Sequence, residues 1–188
     1  MDDGACSYRR FLEGDESAVA EIMERSFLNL VFFIDGYVHD VHEAEDIAMD
    51  VMSDLFVKRR YNFRSSLKTY LFMLGKSRAI DRLRRRRTRA EAPLEEAERI
   101  ADERADLESR VLEDERSREL NEALRSLPGE QRTAVRLVYF ERMTYEETAR
   151  VMGKTRKQID NLLSRAKEKL RGQLGAKEEA PAGRRKKA

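Results

Sequence analysis

The most regularly spaced charged residues are Asp46, Asp50 and Asp54, which recur at every fourth position. On a helix they would form one acidic stripe. Two basic blocks are equally distinctive. Residues 64–89 hold ten Lys or Arg and one acid, net +9, and residues 154–171 hold seven basic residues and two acids, net +5. These are binding chemistries: two contacts for polyanions and one for a basic surface. Bond-breaking chemistry is not supplied. There is no glycine-rich phosphate loop, no Cys pair and no nucleophile beside a base. His39, Asp40, His42 and Glu43 could gather around a metal, but they fall at a predicted helix start with few supporting groups, and read as surface residues. No catalytic residue, metal or cofactor is expected.

Composition sets the frame. The chain has 188 residues, 39% charged and 40% apolar, enough for small helical cores. Three Pro and nine Gly are few for a loop-rich all-β protein. A single cysteine, Cys6, rules out an internal disulfide framework and fits a reducing cytoplasm. No apolar run approaches the roughly 18 residues of a membrane span, and the first residues lack a secretory pattern. The net charge of +2 conceals acidic blocks around the basic ones. Residues 1–38 carry three basic and eight acidic groups, and residues 39–56 carry six acids without Lys or Arg. Residues 89–119 carry six basic and twelve acidic groups. One charge run is usually a solvated helix face; two basic blocks set between acidic ones fit that reading less well.

The periodicity predicts two helical units and a linker, an all-α chain. Ile22, Met23, Phe27, Leu30, Val31 and Ile34 predict a helix over residues 17–38, with Asp15 and Ser17 near its start. Ile47, Val51 and Leu55 predict a second over 42–58. Ser65 or Ser66 would cap a third, running to about residue 87, with Leu67, Leu71, Leu74 and Ile80 inward. Residues 89–116 have few apolar side chains and read as an acidic linker. Leu120, Ala123, Leu124 and Leu127 form a stripe ended by Pro128-Gly129, and a helix is expected over 131–141. Residues 173–188 read as a flexible basic tail.

The C-terminal unit, residues 117–172, carries a helix-turn-helix pattern. Thr144-Tyr145-Glu146-Glu147 is a capping box. Ala149 leaves room for a second helix, and Gly153 can take the left-handed turn between them. The next helix has an inner face of Ile159, Leu162, Leu163, Ala166 and Leu170. Lys157, Asp160, Asn161, Ser164 and Glu168 lie outward, with Arg156 and Gln158 in the first turn and Arg165 flanking. Such a helix can enter a major groove, where Arg, Asn and Gln pair with base edges and Lys and Ser hold phosphates. A plain helical hairpin is the competing reading.

The stretches His39–Met52 and Ser66–Leu74, followed by Arg78-Ala79-Ile80-Asp81-Arg82-Leu83-Arg84-Arg85, together resemble region 2 of the extracytoplasmic-function (ECF) sigma factors of bacterial RNA polymerase. Residues 120–170, with Leu127-Pro128 and Ser164-Arg165-Ala166, resemble their region 4. The resemblance implies a cytoplasmic protein that recruits core RNA polymerase to promoter DNA and opens the duplex, with an anti-sigma factor as a further partner. It implies region 2 over residues 1–88 and region 4 over 117–172.

It also implies roles for particular residues. Glu45, Asp46, Ile47, Asp50, Val51 and Asp54 would meet the polymerase. Tyr61, Phe63, Arg64 and Lys68 would capture bases of the −10 element, while Lys76, Arg78, Arg82, Arg84, Arg85 and Arg86 hold its backbone. Core packing competes for Tyr70 and Phe72, and is the preferred reading of Tyr70. Lys154, Arg156, Lys157, Gln158, Asn161, Ser164 and Arg165 would read the −35 element.

The chain departs from the family pattern in several places. Tyr70 replaces the common Trp, Ser77 an Asn and Met49 a Gln; Lys157-Gln158-Ile159 stands for Gly-Thr-Val. Asp160 would either face a cytosine amino group or lie off the DNA. Two other readings stay open. One is a helix-turn-helix regulator that never engages polymerase, which leaves the acidic stripe unexplained. The other is a helical adaptor for protein partners, which predicts no salt-dependent binding to nucleic acid.

Overall fold

A computed structural model describes residues 4–89, 120 and 122–178, and all regular structure within them is helical. The linker over residues 90–116 and the tail from residue 179 lie outside the described residues. The N-terminal lobe contains α1 (Ala5–Leu12), α2 (Ser17–Val38), α3 (Val41–Lys58) and α4 (Leu67–Arg89). The C-terminal lobe contains a helical turn at residues 122–125, α5 (Gly129–Val135), a π turn (Arg136–Phe140), α6 (Tyr145–Met152) and α7 (Arg156–Glu178).

Each N-terminal helix buries the face its apolar period marks. Ile22, Leu30 and Ile34 of α2 meet Ile47, Val51 and Leu55 of α3 and Leu67 and Leu71 of α4, all nearly or fully buried. Burial of such side chains stabilises by about 1.5–3 kcal/mol each. Gly75 lets α4 lie close on α2: a Cβ there would stand 2.9 Å from Leu30 Cδ1. Asp40 caps α3, its carboxylate accepting from the His42 and Glu43 amides. Ser66 caps α4, accepting from the Thr69 amide at 3.1 Å.

Helix α1 was not among the expected elements. Tyr8, Phe11 and Leu12 do recur at helical spacing, but only two turns form. Tertiary contacts hold them. Tyr8 is fully buried and its hydroxyl donates to the Leu55 carbonyl, while Phe11 packs edge-on against Phe56. Arg10 pairs with Asp15 and Glu21, tying α1 to α2.

In the C-terminal lobe the capping box of α6 forms as expected, and Gly153 takes φ 67° at the turn. Ile159, Leu163 and Ala166 are buried against Leu137 and Val151. Two expectations are corrected. The helix expected over 131–141 starts at Gly129 and widens into the π turn, so Tyr139 and Phe140 point outward and Glu141 inward. Helix α7 continues to Glu178, beyond the expected tail boundary, and Gln173 accepts a hydrogen bond from Ser126.

Candidate functional site

Three surfaces carry the chemistry read from the sequence. The first is α3. Glu45, Asp46 and Asp50 are exposed. Glu45 lies 3.6 Å from His42 Nδ1, and Asp46 makes no ion pair among the described residues. Ile47 and Val51 are a correction to the contact set: both are buried in the core, so they seat the helix and offer no surface. The stripe also has balancing cations: one follows it within α3 itself, and the others come from α4, beyond the reach of local spacing. Arg78 of α4 reaches Asp50 and Asp54, and Lys58 reaches Asp54 at 2.7 Å. Glu43 meets Arg82 at 3.6 Å and Arg86 at 3.3 Å. Hydrogen bonds from Lys58, together with the Arg78 charge, hold the Asp54 carboxyl below the usual carboxylate range.

The second surface is the 59–66 loop with α4. Tyr61 is corrected from base capture to core: it is 5% exposed, packs against Tyr8 and Tyr70, and donates to the Ser65 carbonyl. Tyr70 is half-buried and Phe72 fully buried, both in packing positions. Phe63 differs, with 38% exposure and φ 60°. A left-handed aromatic is strained by roughly 1–2 kcal/mol, so the surrounding loop imposes the conformation. The Arg9 guanidinium lies 5.1 Å from the Phe63 ring centre. Arg64 beside it is exposed. Along α4, Arg84, Arg85 and Arg86 are exposed, Arg84 3.7 Å from Asp81. Lys68 and Lys76 point the other way, into the C-terminal lobe.

The third surface is α7. Lys157, Asn161, Ser164 and Arg165 are exposed on its outer side, as is Asp160. Arg156 pairs with Glu146 at 3.3 Å, and Lys154 with Glu130 at 2.7 Å. Gln158 has a second job. Its side-chain oxygen accepts from the Thr155 amide while the Thr155 hydroxyl accepts from the Gln158 amide, a capping box that starts α7. The Thr-x-x-Gln spacing was the available signal for it.

Sequence reasoning missed Glu141 and Glu147 as contacts between lobes. Glu141 is buried and accepts from Lys68. Burial pushes the Glu147 carboxyl up, but donors from Thr144, Ser66 and Thr69 outweigh it and leave the group below its ordinary range. Nothing in local spacing could pair residues more than seventy positions apart. Among the described residues no cluster of His, Cys, Asp and Glu is placed to hold a metal.

Comparison with known proteins agrees with this architecture. The model of sigma-70 region 2 matches residues 23–89, and that of sigma-70 region 4 matches residues 117–170. The ECF RNA polymerase sigma factor SigM of Mycobacterium tuberculosis is 29% identical over 136 residues, covering 71% of this chain and 65% of SigM. The chain thus spans about two thirds of that relative's length. The RNA polymerase sigma-H factor of Pseudomonas aeruginosa is 29% identical over 153 residues, covering 76% of this chain and 79% of that protein. Two solved structures share the fold. The sigma factor RpoE, in complex with the anti-sigma factor NepR from Bartonella quintana, gives a TM-score of 0.59 at 20% identity, covering 83% of this chain and 96% of its own. CnrH, in complex with the cytosolic domain of CnrY, gives 0.60 at 18% identity, covering 93% and 99%.

Two helical lobes matched in order to regions 2 and 4 define the sigma-70 class. The chain belongs to that family.

Proposed function

We propose that this chain binds core RNA polymerase as a sigma factor and directs promoter recognition and transcription initiation in the cytoplasm. One observation carries the reading: a single chain presents a recognition helix, capped by Thr155 and Gln158, with exposed Lys157, Asn161, Ser164 and Arg165, and a separate helix ending in exposed Arg84, Arg85 and Arg86. Two polyanion surfaces on one chain suit two elements of one promoter. The α7 row reads the −35 element, Asn161 and Arg165 at base edges and Lys157 and Ser164 at phosphates. The arginines of α4 hold the −10 backbone, and Phe63 with Arg64 supplies the surface on which an unpaired base stacks. Such stacking is worth about 1–3 kcal/mol per base, comparable to the cost of unpairing one.

Glu45, Asp46 and Asp50 form the exposed acidic patch for a basic surface of the polymerase, which would set orientation and on-rate. Asp54 supports the patch from behind. No described helix is long and apolar enough to cross a membrane. An anti-sigma factor is a candidate partner, as NepR is of RpoE. Run-off transcription with purified core polymerase, on promoter fragments selected by the assembled complex, tests the reading. Stimulation by this chain is expected; absence of both stimulation and a complex with core would reject it.

A further inference from the structure

The stretch between α3 and α4 carries two residues in the left-handed region, Arg59 at φ 48° and Phe63 at φ 60°. Neither is a residue type that adopts this conformation readily, so the surroundings impose it on both. At both positions the surroundings include α1. The Arg59 guanidinium lies 5.1 Å from the ring centre of Phe11, and the Arg9 guanidinium lies 5.1 Å from that of Phe63. Tyr8 stands 5.3 Å from Tyr61 and 5.9 Å from Phe63, ring centre to ring centre. Gly4, at φ 88°, lies so close to Leu67 that a Cβ there would stand 3.0 Å from Leu67 Cδ2. Helix α1 and the residue before it thus touch the loop at its entry, its middle and its exit. Tyr8 and Phe11 serve the core as well, being fully and half buried, whereas Arg9 is exposed. Its charge is not needed to fill the lobe. Residues 5–12 also lie outside the stretch matched to region 2, which begins at residue 23.

We infer that Arg9 is a positioning residue for the unpaired −10 strand: it holds the Phe63 ring in the orientation in which a flipped base stacks. The inference rests on the functional reading above, in which Phe63 is the stacking surface. A guanidinium within about 6 Å of a ring centre is drawn to the negative π face. Arg9 therefore anchors the ring from α1 and Tyr61 packs on it from within the loop at 4.7 Å, while 38% of Phe63 stays open. A ring fixed before the base arrives has little rotamer freedom left to lose, so more of the stacking energy appears as affinity. Without Arg9 the side chain of Phe63 is free to turn, and each capture must order it again.

Holoenzyme assembled from the full chain and purified core polymerase provides the test. The probe is a dye-labelled promoter fragment, selected by that complex, whose non-template −10 strand is left unpaired; binding is read by fluorescence anisotropy. Phe63→Leu should weaken binding about tenfold, through loss of the stacking ring. Arg9→Met should weaken it about two- to fivefold. In the Phe63→Leu background, Arg9→Met should cost nothing further, because its effect passes through the ring. Affinity for core polymerase should not change, which a general loosening of the lobe would not allow. Should Arg9→Met not fold by circular dichroism, Arg9→Gln takes its place in the same cycle. An additive loss in the double variant overturns the inference, and a shallower salt dependence would then assign Arg9 to a phosphate. Loss of core affinity together with DNA affinity overturns it too. Full binding by Arg9→Met, where Phe63→Leu binds weakly, sinks the inference alone and leaves the capture reading standing. Full binding by Phe63→Leu rejects the capture reading and this inference with it.

Discussion

The Arg78 guanidinium of α4 bridges Asp50 and Asp54, two carboxylates one turn apart on α3. The bridge splits the acidic stripe into members with different duties. Asp54 is largely covered and tied to Lys58 as well, whereas Asp46 is exposed. Substitution should separate the two. Asp46→Lys should weaken binding to core polymerase about tenfold while leaving thermal stability within about 0.5 kcal/mol, as for most surface changes. Asp54→Asn should cost about 1–2 kcal/mol of stability, because Arg78 loses a charged acceptor. Fluorescence anisotropy with core and thermal melts of each variant measure the two effects. Equal loss of core binding and stability in both variants would contradict the division.

Gly75 and Gly36 offer a paired test of helix packing. A Cβ at Gly75 would meet Leu30 Cδ1 at 2.9 Å and Ile34 Cδ1 at 3.2 Å, whereas one at Gly36 meets nothing within 4 Å. Alanine gains about 0.8–1 kcal/mol of helix propensity at either site. At Gly75 overpacking costs about 1–3 kcal/mol and outweighs that gain. Gly75→Ala should therefore destabilise by about 1 kcal/mol and Gly36→Ala should stabilise by about 0.5–1 kcal/mol in urea denaturation.

Where the sequence was legible, a single element carried the signal. The apolar period of α2 and α3, the Thr144–Glu147 box and the φ 67° turn at Gly153 are local facts, written within a few residues. Where it was not, the deciding partner was remote. Tyr61 looked like a surface aromatic in a polar loop, but α1 supplies Tyr8 against it, and α1 itself is too short to announce its fold. The stripe on α3 looked unbalanced because, Lys58 apart, its cations sit on α4. Lys68 and Lys76 belong to a basic run in sequence, yet their orientation is set by a lobe beyond the linker.

The recognition helix separates positioning from reading. Gln158 builds the capping box with Thr155, and Asn161 stands exposed one turn later. Loss of a cap costs about 0.5–2 kcal/mol and disturbs every contact of the helix alike. Gln158→Ala should therefore weaken −35 binding by a similar factor on all sequences. Asn161→Ala should cost about 1–3 kcal/mol on the preferred site and relax selectivity at one base pair. Binding to a panel of single-base variants distinguishes a uniform drop from a local one. A local drop for Gln158→Ala would assign it to base contact instead.

The junction near the end of α2 predicts a pH response. His39 closes that helix at φ 56° and is half-buried beside Asp35. Burial holds its imidazole below the ordinary range; Asp35 opposes that shift and Arg132 of α5 adds to it. The unfolded chain, with a histidine pKa of about 6.5, thus binds the proton first as pH falls. Stability present at neutral pH is lost from about pH 7 downward and levels off below the folded pKa. Burial raises the Asp35 carboxyl, which favours the folded state as pH falls and so works in the opposite sense. His39→Asn keeps a residue that tolerates the left-handed turn and removes the titration. Melting temperature should fall by about 2–4 °C between pH 7.5 and 5.5 in the parent chain. In His39→Asn it should stay level or rise slightly, as the Asp35 contribution then acts alone; a parallel fall in both proteins would place the titrating group elsewhere.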